Sequence, residues 1–371
     1  MRRVLHVLQS LQRSGMEMML LTSAEEWRKQ GYACDVLATD IDIGPVADDM
    51  RACGYGVFHI PFRSRLRYLP RLAFVTEFYG LCRSGYDVVH IHTEAGPPVP
   101  AVLAKLAGVR RVAVTPHGVF DFHGFLRVRK SFERFIIRML GGSYGLISEG
   151  VRRCEWERFR NGGVRISNWL DTERFRPPTD GERGAARERL KIRPDQFAVV
   201  SVGNCSILKN HEAALRAVSL LAADFDVIYL HIGREPAENP ERELAIQLGI
   251  QDKVRFMGSQ SDLLSFLWAA DAFVMPSLHE GLSIAALEAI AAGVPVVFTQ
   301  ISGLCEAAAT SKSAIFTSTE PDSIAQGLMR VEALRPCERR TRAKIDSDLL
   351  RQKFSVENGV TSITRGLYER N

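Results

Sequence analysis

Short apolar runs alternate with longer mixed stretches along this chain. In the first half, residues 4–9, 34–39, 56–61, 87–92, 111–118 and 144–147 are rich in Val, Leu and Ile and close on Gly, Pro or polar residues. Runs of that length with apolar residues at successive positions predict strands buried on both faces. Residues 18–29 carry apolar positions at helical spacing after a polar turn around Gly15, and residues 101–108 do the same before a stop at Gly108. The pattern restarts with apolar runs at 198–204, 227–233, 254–258, 272–277 and 294–299. Between the halves lies TERFRPPTDGERG, residues 172–184, whose prolines and mixed charges read as a linker. Strands alternating with helices predict an α/β protein with mainly parallel sheets and helices on both faces.

The length of 371 residues fits about two domains. Hydrophobic content of 46% and charged content of 25% are those of a soluble globular chain. Seven scattered cysteines without a C-x-x-C pair argue against a disulfide framework or a zinc site, and for a reducing, cytoplasmic setting. No apolar run reaches the ~18 residues of a membrane span. The opening MRRVLHVLQSLQRSG imitates a short signal peptide, but His6 and Gln9 break its apolar part, so a first strand is expected there. The net charge of +5 is unevenly spread: residues 51–165 hold 19 Lys and Arg against 8 Asp and Glu. An excess of that size suggests an acidic partner for the first half, such as anionic lipid or a phosphate-bearing acceptor. Nucleic acid is not expected, since no helix-turn-helix, zinc-finger or RNA-recognition signature is present.

The densest chemistry lies in HEGLSIAALEAIAAGVPVV, residues 279–297. Glu280 and Glu288 have seven residues between them, the first in a Glu-Gly-Leu-Ser turn and the second in an Ala-rich run that predicts a helix. The spacing slightly exceeds two helical turns, which brings the acids near one face if the helix starts early. The preceding DAFVMPS predicts a buried strand ending at Pro276. Strand, turn and helix place backbone N–H groups at a helix N-terminus, which suits an anion such as phosphate.

This segment resembles the nucleotide-binding signature of glycosyltransferase family 4, the retaining sugar-nucleotide transferases of the GT-B fold, here of the kind acting in bacterial exopolysaccharide or capsule biosynthesis. The resemblance recurs along most of the chain. In SVGNCSILKNHE, residues 201–212, Lys209 matches the lysine of the diphosphate clamp, while Asn204 stands where the family has an arginine. The match implies that Glu280 faces the donor sugar, Gly281, Leu282 and Ser283 the diphosphate, and Glu288 the ribose. TPHG, residues 115–118, resembles the family's His-Gly turn, which implies that His117 lies at the donor sugar. RSGMEMML, residues 13–20, resembles the first-domain glycine loop, with Ser14 in place of the first glycine and Gly15 retained. NWLDTERFRP, residues 168–177, resembles an architectural linker motif, and residues 354–370 the final helix that crosses back to the first domain.

The resemblance therefore implies two Rossmann-like domains facing a cleft. The N-terminal acceptor-side domain spans 1–171 plus 354–371, and the C-terminal nucleotide-sugar domain spans 185–353, with the linker 172–184 between them. It also implies metal independence and no cofactor. Two D-x-D matches, Asp40–Asp42 and Asp346–Asp348, are set aside because neither is expected at a strand end. The helical stretch 125–140 puts Phe125, Val128, Phe132, Phe135, Ile136 and Met139 on one face, with Arg127, Arg134 and Arg138 elsewhere. It reads either as a helix packed on its own sheet or as one lying on an anionic membrane surface.

The expected function is transfer of a sugar from a nucleotide-diphosphate donor, uridine by resemblance, to a hydroxyl of a saccharide or lipid-linked acceptor. Two rivals share the architecture. One is a non-hydrolysing sugar-nucleotide epimerase; the other is a non-catalytic binding subunit, to which Asn204 and Ser14 point.

Overall fold

The computed structural model describes residues 1–62, 72–94, 96–119 and 122–369. The chain forms two compact units, Met1–Trp169 with Val356–Asn371, and Leu170–Ser355. The first unit runs β1 (Arg2–Leu8), α1 (Gly15–Lys29), β2 (Tyr32–Ala38), α2 (Ala47–Ala52), β3 (Gly56–His59), α3 (Leu72–Arg83), β4 (Val88–Ile91), α4 (Pro98–Leu106), β5 (Arg111–Val114), α5 (Gly124–Met139), β6 (Ser143–Leu146), α6 (Glu149–Phe159) and β7 (Val164–Arg165). Its strands form one sheet in the order β3-β2-β1-β4-β5-β6-β7, with every pair parallel. The central strands are apolar on both faces because helices cover both, so Val4, Leu5, Val7, Val89 and Ile91 are fully buried.

The second unit runs α7 (Asp180–Arg189), β8 (Phe197–Val202), α8 (His211–Leu221), β9 (Val227–Ile232), α9 (Pro240–Gln247), β10 (Val254–Phe256), α10 (Leu264–Ala269), β11 (Ala272–Met275), α11 (Ile284–Ala291), β12 (Val296–Thr299), α12 (Ser302–Ala307), β13 (Ile315–Thr317), α13 (Pro321–Glu332) and α14 (Pro336–Lys353). Its parallel sheet has the order β10-β9-β8-β11-β12-β13. Val199, Leu215, Val218, Tyr229, Val274, Val297, Ile324 and Leu328 form one core on a face of that sheet. The chain then returns to the first unit through α15 (Val356–Ile363) and a π-helical turn, Thr364–Tyr368. Gly359 fits there because a Cβ would meet Trp169 Cε3 at 2.3 Å.

Four expectations change. Residues 172–184 do not stand apart as a linker: they lie in the second unit, and α7 already begins at Asp180 behind a Thr179–Glu182 capping box. The helix expected from Met18 starts at Gly15, with Ser14 as its N-cap residue. Asp40–Asp42 does follow a strand end, that of β2, where Asp40 accepts hydrogen bonds from the Gln9 side chain and the Ile41 amide. The other D-x-D begins at Asp346, buried in α14 and holding Ser311, Ser313 and the Lys312 amide.

The fourth concerns α5. Lys130, Glu133, Arg134 and Ile137 face inward. Arg134 does not project to solvent. Its guanidinium donates to Glu155 at 2.7 and 2.6 Å and reaches Glu94 at 3.4 Å, while Asn161 donates to the same Glu155 carboxylate at 2.6 Å. The expected apolar face is the exposed one: Phe125 is 84%, Phe132 61% and Met139 71% accessible.

Candidate functional site

In the second unit the chemistry gathers at the C-terminal ends of β8, β9 and β11, where open α/β sheets bind ligands. Two loops meet there. The Leu278 amide donates to the Leu208 carbonyl at 2.8 Å, and Asn210 Nδ2 donates to the Pro276 carbonyl at 3.2 Å. Across this junction Lys209 Nζ donates to Glu280 Oε1 at 2.6 Å. Ser277 Oγ donates to the same oxygen at 2.8 Å. The two site residues expected to face diphosphate and sugar are thus bonded to each other. A cation and a carboxylate so placed hold each other's charge and still leave donors and acceptors for a ligand.

The helix α11 begins at Ile284, so Glu280 precedes it and shares no helical face with Glu288. Ser283 is the N-cap, its hydroxyl accepting from the Ala286 amide. The amides of Gly281 and Ser283 make no hydrogen bond among the described residues. They lie at the positive end of the helix dipole, where an anion is favoured. Gly303, in the first turn of α12, keeps this turn in place, since a Cβ would meet the Gly281 carbonyl oxygen at 2.4 Å. One turn further along α11, Glu288 is half-buried. Burial pushes its carboxyl up to about 8, and nearby Arg174 pulls the other way.

Asn204 does not present its carbonyl to a ligand. Its Oδ1 accepts from the Arg234 amide at 2.9 Å, and the Cys205 amide returns a bond to the Arg234 carbonyl at 2.9 Å. The two loops touch closely enough that a Cβ on Gly233 would meet the Gly203 carbonyl oxygen at 2.0 Å. Arg234 is exposed and forms no ion pair among the described residues. Ser277, Arg174 and Arg234 were not marked by the sequence. Only Ser277, directly after Pro276 at a strand end, carried a positional hint.

In the first unit His117 follows β5, half-buried, and burial lowers its imidazole to about 4. Its Nε2 lies 3.0 Å from His92 Nδ1, and His92 Nε2 lies 3.0 Å from His6 Nδ1. His90 sits beside them, with Nε2 at 2.8 Å from the Thr115 hydroxyl and Nδ1 at 2.6 Å from that of Tyr368. His6, His90 and His92 bring three ligand-type atoms within 4.8 Å of one another. All their nitrogens except His6 Nε2 are engaged in these contacts, which supports a hydrogen-bonded core cluster over a metal cage. Gly15 opens α1, and beside it the Ser14 hydroxyl donates to the buried Glu17 carboxylate.

No helix among the described residues is long and apolar enough to cross a membrane.

Comparison with known proteins matches residues 13–147 to the Glycosyltransferase Family 4 model and residues 182–347 to the model of Glycosyl transferases group 1. A D-inositol 3-phosphate glycosyltransferase of Corynebacterium urealyticum is 35% identical over 292 residues, 69% of this chain and 65% of its own length. The UDP-Gal:alpha-D-GlcNAc-diphosphoundecaprenol alpha-1,3-galactosyltransferase of Escherichia coli is 28% identical over 236 residues, 60% of each chain. The chain thus spans about two thirds or less of the length of these curated relatives. Among solved structures, Anabaena HepE in complex with UDP and glucose superposes with a TM-score of 0.85 over 100% of both chains at 16% identity, a likeness of fold. Two Rossmann-like units of seven and six parallel strands, matched in order by both family models, identify the chain as a member of glycosyltransferase family 4, with the GT-B fold.

Proposed function

We propose that this protein is a retaining glycosyltransferase that moves a sugar from a UDP-sugar to a hydroxyl of a surface-polysaccharide or lipid-linked acceptor, without a bound metal. One observation carries the reading. Lys209, Glu280, the amides of Gly281 and Ser283, and Glu288 converge around a single helix start at strand ends. That set matches a nucleoside diphosphate from end to end: amides and Lys209 for the phosphates, Glu288 for the ribose diol, Glu280 for the sugar. The bond from the anomeric carbon to the diphosphate breaks and the bond to the acceptor oxygen forms. The acceptor proton passes to the leaving diphosphate on the same face. Charge developing on that diphosphate is stabilised by Lys209 and the helix amides. Arg234, held beside Asn204, offers the second cation that the loop itself lacks. The family resemblance assigns a catalytic role to His117 of the first unit as well.

The lipid-linked acceptor draws support from the diphosphoundecaprenol substrate for which the Escherichia coli relative is named. It draws further support from α5, whose exposed apolar face is flanked by exposed Arg127, Arg129 and Arg138. Such a helix suits peripheral docking on an anionic membrane, here the cytoplasmic face.

Incubation with labelled UDP-sugars and lipid-linked oligosaccharide separates the alternatives. Transfer with retained anomeric configuration is expected, and it should survive EDTA. Isomerised donor without acceptor consumption would point to an epimerase. Binding without turnover would point to a non-catalytic subunit. Loss in EDTA with recovery in magnesium would return Asp40 and Asp42 to consideration.

A further inference from the structure

His6 belongs to β1, His92 follows β4 and His117 follows β5, and all three lie in the first unit. Their ring nitrogens are joined in series, His6 Nδ1 to His92 Nε2 and His92 Nδ1 to His117 Nε2, each at 3.0 Å. Burial holds all three imidazoles well below their ordinary range, so each is neutral near pH 7 and carries one N–H. A series of neutral imidazoles has two self-consistent arrangements, since each link needs one donor and one acceptor. In the first, protons sit on every Nδ1 and the chain donates from His6 towards His117. In the second, protons sit on every Nε2 and it donates from His117 towards His6.

The far end decides between them. His6 Nε2 is buried and has no hydrogen-bond partner among the described residues. Trp27 Nε1 is also buried and without a partner among the described residues, and the two rings pack with centroids 5.6 Å apart. An indole N–H can only donate. If His6 Nε2 carried the proton, the packed pair of rings would hold two buried donors, both unsatisfied. Each unsatisfied buried donor costs on the order of 1–3 kcal/mol. If His6 Nε2 is a bare lone pair, it is the complement of the indole N–H. We infer that His6 and His92, with the Trp27 indole packed on His6 setting the direction, form a one-way donor chain that holds His117 as its Nδ1–H tautomer. His6 and His92 are then positioning residues for His117. His117 Nδ1 has no hydrogen-bond partner among the described residues, so its N–H is offered outward as a donor. If His117 acts on substrate, that N–H is the group it presents, a role that rests on the function proposed above.

Long-range ¹⁵N–¹H correlation spectra of the full chain, labelled at histidine, test the tautomer without any substrate. The expected result is a protonated Nδ1 and a bare Nε2 on His6, His92 and His117. A protonated Nε2 on His117 overturns the inference, whatever the enzyme's activity. His92→Phe keeps an aromatic ring but removes both links, so His117 should move to a tautomer mixture. With a transferable sugar in hand, the same variant should lower kcat several-fold and leave UDP affinity unchanged. An unaltered His117 spectrum in a folded His92→Phe protein would also overturn the inference. Trp27→Phe, which removes the indole N–H together with one ring of the indole, should broaden the His6 signals before those of His117. Unchanged His6 signals would show that the indole does not set the direction.

Discussion

The helices α5 and α13 carry the same kind of apolar stripe and use it in opposite ways. In α13 the stripe faces inward, with Ile324, Ala325, Leu328 and Val331 buried in the second unit. In α5 it faces solvent, while Lys130, Glu133 and Arg134 are turned into the first unit. A period of 3.6 tells which residues share a face but not which face goes in. Here the decision falls to partners remote in sequence, since Glu94 and Glu155 lie 40 and 21 residues from Arg134. A helix that buries charge must have that charge paired, and α5 does. What remains exposed is apolar and flanked by arginines, which is a cost unless something covers it.

Breaking the buried pairing should have the largest effect. Arg134→Met leaves Glu155 buried with only Asn161, and loss of one partner from a buried pair costs about 3–5 kcal/mol. Urea unfolding should show a loss in that range. By contrast, Phe132→Ser on the exposed face should shift the midpoint little. Equal losses would mean that the apolar face of α5 is packed.

The membrane reading predicts the next largest effect. Attraction to an anionic surface is worth about 1 kcal/mol per basic residue near it. Changing Arg127, Arg129 and Arg138 together to Gln should therefore abolish binding to anionic vesicles and leave UDP binding intact. Arg134 is left out because it holds the fold. Wild-type binding should fall steeply with salt. A wild type that ignores anionic vesicles at low salt would leave the stripe and the basic excess of the first half to another partner.

The strand–turn–helix at Glu280 was legible because its parts are adjacent in sequence: Pro276 ends the strand, Ser283 caps the helix and Glu288 follows. Both sheets were legible for the same reason, since a buried parallel strand is a continuous apolar run. β7, two residues long, and β13, whose Ile315 and Phe316 are followed by Thr317, Ser318 and Thr319, both escaped. The Lys209–Glu280 bond, the Asn204–Arg234 contact and the His6–His92–His117 series escaped because each joins residues 30 or more positions apart, or 25 in the case of His92 and His117. The helix start at Ile284 also moved Glu280 off the face it was expected to share.

A smaller effect concerns protons. The Glu288 carboxyl is pushed up to about 8, above its value in the unfolded chain. Its contribution to stability is therefore fully present below the ordinary carboxyl range and is lost as pH rises towards about 8. Ribose hydroxyls donate to a carboxylate, so UDP binding near pH 7 should expel a proton, and affinity should rise between about pH 6 and about pH 8. Titration calorimetry in two buffers of different ionisation enthalpy reads that proton. Glu288→Gln should remove it. Proton uptake instead would mean that the ligand prefers the neutral acid.

The central claim, that a nucleoside diphosphate sits where Lys209, Glu280 and Glu288 converge, is tested most directly by titrating UDP into the wild type, Glu288→Ala, Lys209→Ala and Asn204→Ala. A hydrogen bond to a charged group contributes about 1.5–3 kcal/mol, so the first two variants should each weaken UDP by roughly tenfold or more. Asn204→Ala, which loses a contact to backbone and no charge, should lose less than Lys209→Ala. Folded Glu288→Ala and Lys209→Ala proteins that bind UDP as tightly as the wild type would contradict the account.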